Sequence, residues 1–374
     1  MYRRLLAIAL MGLLVIFVLP VMAQSNARVI QMSSSLRLRT SPTTTSDTVD
    51  FLTSGTLLTI LEQSTDFTWY RVEVSDTGQQ GWVASGFVEY ISEGDIPVQA
   101  TGSIEPTLEG FSDTVVEGIP ILTGLSQNTI DIFRKGQEMG NRANVFSKVG
   151  DSITFTDYFL DNFGAGVYDL DTYWYLDGAI AYFSSTIARD EDSFRQDSIA
   201  AKAGWNAYLL QNPEYADPVL CSAGETPLEC EYRHSRPAIA LIMLGTNDVG
   251  FVNAYAFRVN MEWIVQTSID NGVIPVISTL PNRLGLTADV IEFNAIIRDI
   301  AARYQIPLWD YGTIMATLPD EGLGPDGIHP SISPAGWVGM ADFKASNLVY
   351  GFPIRNLTAL HILHSIWQQV IMRA

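Results

Sequence analysis

The chain has 374 residues, 47% hydrophobic and 17% charged, which predicts a folded, core-forming protein and excludes a disordered one. Its length suits two domains, or one large domain with an appendage. A formal net charge of −19 argues against nucleic acid and anionic lipid as partners, because phosphate binding relies on clustered Lys and Arg.

Residues 1–23 read as a signal peptide. Arg3 and Arg4 give a positive start, residues 5–19 are an unbroken apolar run, Pro20 breaks it, and Val21-Met22-Ala23 offers small residues to a signal peptidase. The apolar run is short for a membrane span, which favours cleavage over a retained N-terminal membrane anchor. The protein is therefore expected to be secreted or extracytoplasmic, with cell-surface association open.

Residues 27–92 read as short strands separated by turns. Leu36 and Leu38 alternate with Arg37 and Arg39, Pro42 and Gly55 turn the chain, residues 57–61 and 70–74 follow, and Gly81-Trp82-Val83 closes the set. This order, with Trp69-Tyr70 inside it, resembles the bacterial SH3 domain of exported proteins. It departs from that family at Arg37, where asparagine is common, and at Ser41, where glycine is common. The resemblance implies a small all-β, SH3-like barrel and a cell-wall peptide or glycan as partner. The plainer reading makes Trp69 and Trp82 barrel core and the domain a spacer. Residues 93–115 are acidic and turn-prone, with Pro97, Gly102, Pro106 and Gly110, and read as a linker.

From residue 116 to residue 374, strand-like runs alternate with longer helical patterns, which predicts a three-layer α/β/α domain with a mainly parallel sheet. Helices are expected over residues 130–139, 153–163, 198–210, 255–270, 288–304 and 357–372. Strands are expected to end at Val149 and to cover residues 238–244, 274–278 and 306–309. Ser333 and Pro334 read as the N-cap and first residue of a further helix. Cys221 and Cys230 are the only cysteines, close together in a segment rich in loop formers, and are expected to form a disulfide. Two cysteines and four scattered histidines make no zinc pattern, so neither metal nor cofactor is expected.

Three strand ends carry chemistry. Gly150-Asp151-Ser152 follows the strand ending at Val149, where a serine hydroxyl is exposed and its N–H lies near a helix start. Alone, the tripeptide is equally compatible with a helix cap. The second end, Gly245-Thr246-Asn247-Asp248, holds a side-chain amide able to donate to an oxyanion. After the last strand comes Asp326-Gly327-Ile328-His329, in which a carboxylate three residues before a histidine can hold the ring in the tautomer a general base needs.

Together, in this order, these blocks resemble the SGNH/GDSL hydrolase family over residues 116–374, a flavodoxin-like layout. The resemblance implies Ser152 as nucleophile, His329 as general base and Asp326 as its orienting acid. The Ser152 N–H, the Asn247 amide and a glycine N–H would complete the oxyanion hole. Gly204, in Ala203-Gly204-Trp205-Asn206, is the glycine that fits best, with Gly164, Gly166 and Gly178 competing. The family's usual leucine after the serine is Ile153 here, and no Gly-x-Ser-x-Gly lipase elbow is present. Among other residues, His361 and His364 read as packing or surface, and His234 as loop surface. Tyr173, Trp174, Tyr175, Tyr182 and Phe183 read as core or as an acyl or sugar pocket. The expected activity is an exported serine esterase acting on small-molecule, carbohydrate or lipid acyl esters. A catalytically silent wall-binding protein and an acyltransferase are the alternatives.

Overall fold

The computed structural model describes residues 27–29, 35–64, 69–84, 87–90 and 111–374. The expected signal peptide and most of the expected linker lie outside these residues. The chain divides into two compact units between residues 101 and 102.

In the first unit, period-2 alternation does the folding. Strand β5, residues Trp69–Val74, buries Tyr70, Val72 and Val74 and leaves Arg71 and Glu73 half-exposed between them. With β1 (Ala27–Val29), β2 (Leu36–Arg39), β3 (Thr48–Leu52), β4 (Leu57–Gln63), β6 (Gln80–Ala84) and β7 (Val88–Tyr90) it forms an antiparallel sheet. Its order is β3-β2-β6-β5-β4-β1-β7. Leu38, Leu58, Tyr70, Val72 and Val83 fill the interior, Trp69 is buried with them and Trp82 is half-buried. This is the all-β unit the sequence predicted.

The second unit is the expected α/β/α sandwich around a mixed, mostly parallel sheet. Its strands are β8 (Thr114–Val116), β9 (Ile119–Thr123), β10 (Arg142–Gly150), β11 (Pro237–Met243), β12 (Ile274–Ser278) and β13 (Leu308–Trp309). The order is β10-β11-β12-β13-β9-β8, with β10 to β13 parallel and β9 and β8 antiparallel at one edge. Every residue of β11 is buried, as a central parallel strand covered on both faces requires. Strand β8 begins two residues inside the expected linker, because a three-residue edge strand flanked by acids gives no periodic signal.

The helices are α1 (Gln127–Met139), α2 (Asp161–Gly164), α3 (Asp177–Ser184), α4 (Pro227–Ser235), α5 (Ala254–Asp270), α6 (Thr287–Tyr304), α7 (Tyr311–Met315) and α8 (Gly351–Gln369). Three helical expectations need correction. Residues 153–163 turn repeatedly and become helical only in α2, and residues 198–210 carry only a short 3-10 turn at Leu209–Gln211. Ser333 caps a bend, its Oγ accepting the Ala335 N–H at 3.2 Å, and the following segment is 3-10 helix at Gly336–Ala341. Conversely, the loop-rich segment after Cys221 hides α4, which opens on a capping box between Thr226 and Glu229 with Pro227 at its first turn. Cys221 and Cys230 are joined in a disulfide that ties that segment to α4, with Cα atoms 5.4 Å apart. Among the described residues no helix is long and apolar enough to cross a membrane.

Candidate active site

Strand β10 ends in a residue that must be glycine. A Cβ on Gly150 would lie 2.3 Å from Thr154 Oγ1 and 2.6 Å from the Met243 carbonyl, so any larger residue would push the turn off β11. Beyond it the backbone tightens on Asp151, whose carbonyl accepts the N–H groups of Thr154 and Phe155 at 3.0 and 2.8 Å. Asp151 Oδ1 also accepts the Ile153 N–H at 2.9 Å, an Asx turn that places Ser152 at the apex.

From there Ser152 Oγ lies 2.8 Å from His329 Nε2, and His329 Nδ1 lies 2.6 Å from Asp326 Oδ2. Asp326 Oδ1 is held by the N–H groups of Ile328 and His329, both at 3.0 Å. Some burial pushes the Asp326 carboxyl up, but hydrogen bonds from the His329 ring and these two amides outweigh it and hold it below the usual carboxylate range. A carboxylate at Nδ1 fixes the proton there and leaves Nε2 free to accept from the serine.

The neighbouring strand brings the second cluster. Gly150 donates to the Ala200 carbonyl at 3.1 Å and accepts from Lys202 N–H at 3.2 Å, so residues 200–202 lie beside the end of β10. Gly204 follows with φ of 80° and nothing within 4 Å of an added Cβ, so its backbone conformation, not crowding, calls for glycine. Asn247 Nδ2 donates to the Trp205 carbonyl at 2.9 Å, which keeps one amide hydrogen in reserve. Asp248 accepts the Ala207 N–H at 3.2 and 3.1 Å. Among the described residues the Ser152 and Gly204 N–H groups donate to no protein acceptor. Gly164, Gly166 and Gly178 lie in or beside α2 and α3 and hydrogen-bond neither Gly150 nor the Asn247 turn.

Three buried charges beneath the serine were not singled out in the sequence. Asp151 is wholly buried, and burial pushes its carboxyl up against the pull of the Ile153 N–H and the Arg355 guanidinium. Arg355, from α8, donates to the Ile153 carbonyl at 2.9 Å and to Thr154 Oγ1 at 3.0 Å, and stacks 4.1 Å from the Phe159 ring. Burial lowers its pKa to about 10. Asp248 is the third, pushed up to about 7 by burial and then by the charge of Asp151.

Other singled-out residues lie elsewhere. Tyr173 and Tyr175 pack on His361 at 5.6 and 5.8 Å, Tyr182 stacks on Trp367 at 5.2 Å, and Phe183 meets Phe146 at 5.6 Å. Trp174 meets Tyr175 and is otherwise largely exposed. His234 Nε2 is 2.8 Å from the Leu220 carbonyl, in the disulfide region.

Two family models match the sequence: the GDSL-like lipase/acylhydrolase family over residues 149–333 and the bacterial SH3 domain over residues 34–89. No curated protein sequence matches. Among solved structures, a lipase/acylhydrolase from Enterococcus faecalis is similar at 19% identity, covering 60% of this chain and 96% of its own, with a TM-score of 0.39. A carbohydrate esterase family 3 protein from Talaromyces cellulolyticus is similar at 16% identity, covering 59% and 97%, with a TM-score of 0.39. An acetylxylan esterase from Geobacillus stearothermophilus is similar at 13% identity, covering 58% and 93%, with a TM-score of 0.36. Likenesses this distant leave the assignment to the family models. Residues 149–333 are a GDSL-like lipase/acylhydrolase domain and residues 34–89 a bacterial SH3 domain, and the chain is an ester-hydrolysing enzyme.

Proposed function

We propose that the protein is an exported serine esterase that cleaves carbohydrate or lipid acyl esters through a Ser152-His329-Asp326 triad. Ser152 Oγ attacks the ester carbonyl while His329 Nε2 takes its proton, and Asp326 holds the ring and offsets the imidazolium charge. The carbonyl oxygen, now negative, receives hydrogen bonds from the Ser152 N–H, the Gly204 N–H and the Asn247 amide. His329 returns the proton to the departing alkoxide, and water repeats the sequence on the acyl-enzyme. The observation carrying this reading is the 2.8 Å contact from Ser152 Oγ to His329 Nε2, continued at 2.6 Å to Asp326. Export is supported by the disulfide and by the SH3 domain, whose proposed partner is cell-wall peptide or glycan.

Kinetics of single and double variants test it. Ser152→Ala and His329→Ala should each remove nearly all turnover of p-nitrophenyl acetate, and their combination should cost little more, because members of one unit do not add. Losses that multiply in the double variant would place the two residues in separate roles.

A further inference from the structure

The turn at residues 245–248 does more than present Asn247. Its two polar side chains fasten two peptide units of the same facing segment. Asn247 holds the Trp205 carbonyl at 2.9 Å, and the wholly buried Asp248 takes the Ala207 N–H on both oxygens at 3.2 and 3.1 Å. Between the fixed Lys202 and these two anchors lies Gly204. We propose that Asp248 is a positioning residue: its ionised carboxylate holds residues 203–207 so that the Gly204 N–H meets the oxyanion formed at Ser152. The proposal rests on the triad reading above.

The charge state of Asp248 follows from its surroundings. Ionised, it offers both oxygens to Ala207; protonated, it offers one and carries an O–H that needs its own acceptor. Burial and the charge of Asp151, from the end of β10, push its pKa up to about 7, while the Ala207 N–H pulls the other way. Asp151 has a buried Oδ2 with no hydrogen-bond partner among the described residues. The Thr246 hydroxyl lies near enough to favour that carboxylate but outside hydrogen-bond geometry. The other charged groups around the turn are Arg283, whose guanidinium donates to the Thr246 carbonyl, and Arg355 and His329, which act on Asp151. Residues 203–207 bring no titratable side chain; Lys202 and Tyr208 flank them, Lys202 exposed and Tyr208 half-exposed. Competence then needs two protons lost: one from the imidazole and one from Asp248.

The test uses the full chain, with pH 5–9 profiles of kcat/KM on p-nitrophenyl acetate and of the rate at which diisopropyl fluorophosphate labels Ser152. In the wild type the acid limb of log rate against pH should approach a slope of two. Asp248→Asn keeps one acceptor for Ala207 and cannot ionise, so it stands in for the protonated acid: its slope should fall to one, with kcat at pH 8 reduced by about 10–100-fold. Asp248→Ala should lower kcat by about 10–100-fold with KM within a few-fold, somewhat less than deleting an oxyanion donor outright. If the alanine variant fails to fold, the slope of the asparagine variant decides alone. A slope of two in Asp248→Asn, or wild-type kcat in Asp248→Ala, overturns the proposal while leaving the triad intact. Absence of any Ser152 labelling in the wild type would overturn the triad reading, and this proposal with it.

Discussion

Ser152 and His329 are 177 residues apart, yet each is set by local chemistry. Gly150 permits the turn, Asp151 caps it, and Asp326 takes the backbone N–H and ring of His329 within one loop. Local devices leave local signatures, which is why Gly-Asp-Ser and Asp-x-x-His are readable in the sequence. Asn247 is readable for the same reason, as an amide at the end of an apolar run. In the proposed oxyanion hole its donor would matter chiefly once charge has developed, so Asn247→Ala should lower kcat by about 10²–10³ with less change in KM. An equal loss in kcat and rise in KM would mean instead that the residue mainly shapes the pocket, since its second role is to hold the Trp205 carbonyl. Arg355 and the burial of Asp151 and Asp248 were not legible. An arginine on a terminal helix reads as surface until the fold brings it beneath the serine, 202 residues from the Ile153 carbonyl it binds.

Among the elements, continuous apolar runs gave away the parallel strands: residues 274–278 were expected as a strand and form β12. Where elements were misread, tertiary hydrogen bonds overrode a helical pattern. Residues 198–210 run as a series of turns instead of a helix because Gly150 binds Ala200 and Lys202, Glu231 takes the Ile199 N–H at 2.9 Å, and Asn247 and Asp248 hold residues 205 and 207. No window of local sequence contains those partners. Helix α8 was expected over residues 357–372 and forms at Gly351–Gln369, nearly all buried and carrying His361 at 6% exposure. Burial, then the neighbouring His364, lower the His361 pKa to about 4. Its unfolded value is the ordinary 6.5, so between these limits the unfolded chain binds a proton that the folded chain does not, and stability is lost as pH falls. By pH 5 the loss assigned to this one group is about 2 kcal/mol. Urea unfolding at pH 7 and pH 5 should therefore show a smaller acid loss in His361→Leu than in the wild type. Equal losses would mean that His361 is already protonated in the folded protein.

At the scale of the whole molecule, two units with separate cores predict separable roles. Every group proposed for the chemistry comes from the second unit, so deleting residues 24–92 should leave turnover of p-nitrophenyl acetate within a few-fold while reducing pull-down on purified cell wall. Collapse of small-ester turnover would make the SH3 unit part of the active domain. The division into two units was legible because composition changes along the chain: period-2 strands, then acidic linker, then alternating strands and helices. Intact-mass analysis after fluorophosphonate treatment tests whether Ser152 is the nucleophile. One added mass increment is expected, mapped to the peptide containing Ser152 and absent from Ser152→Ala. Labelling at another residue, or an active Ser152→Ala protein, would contradict it.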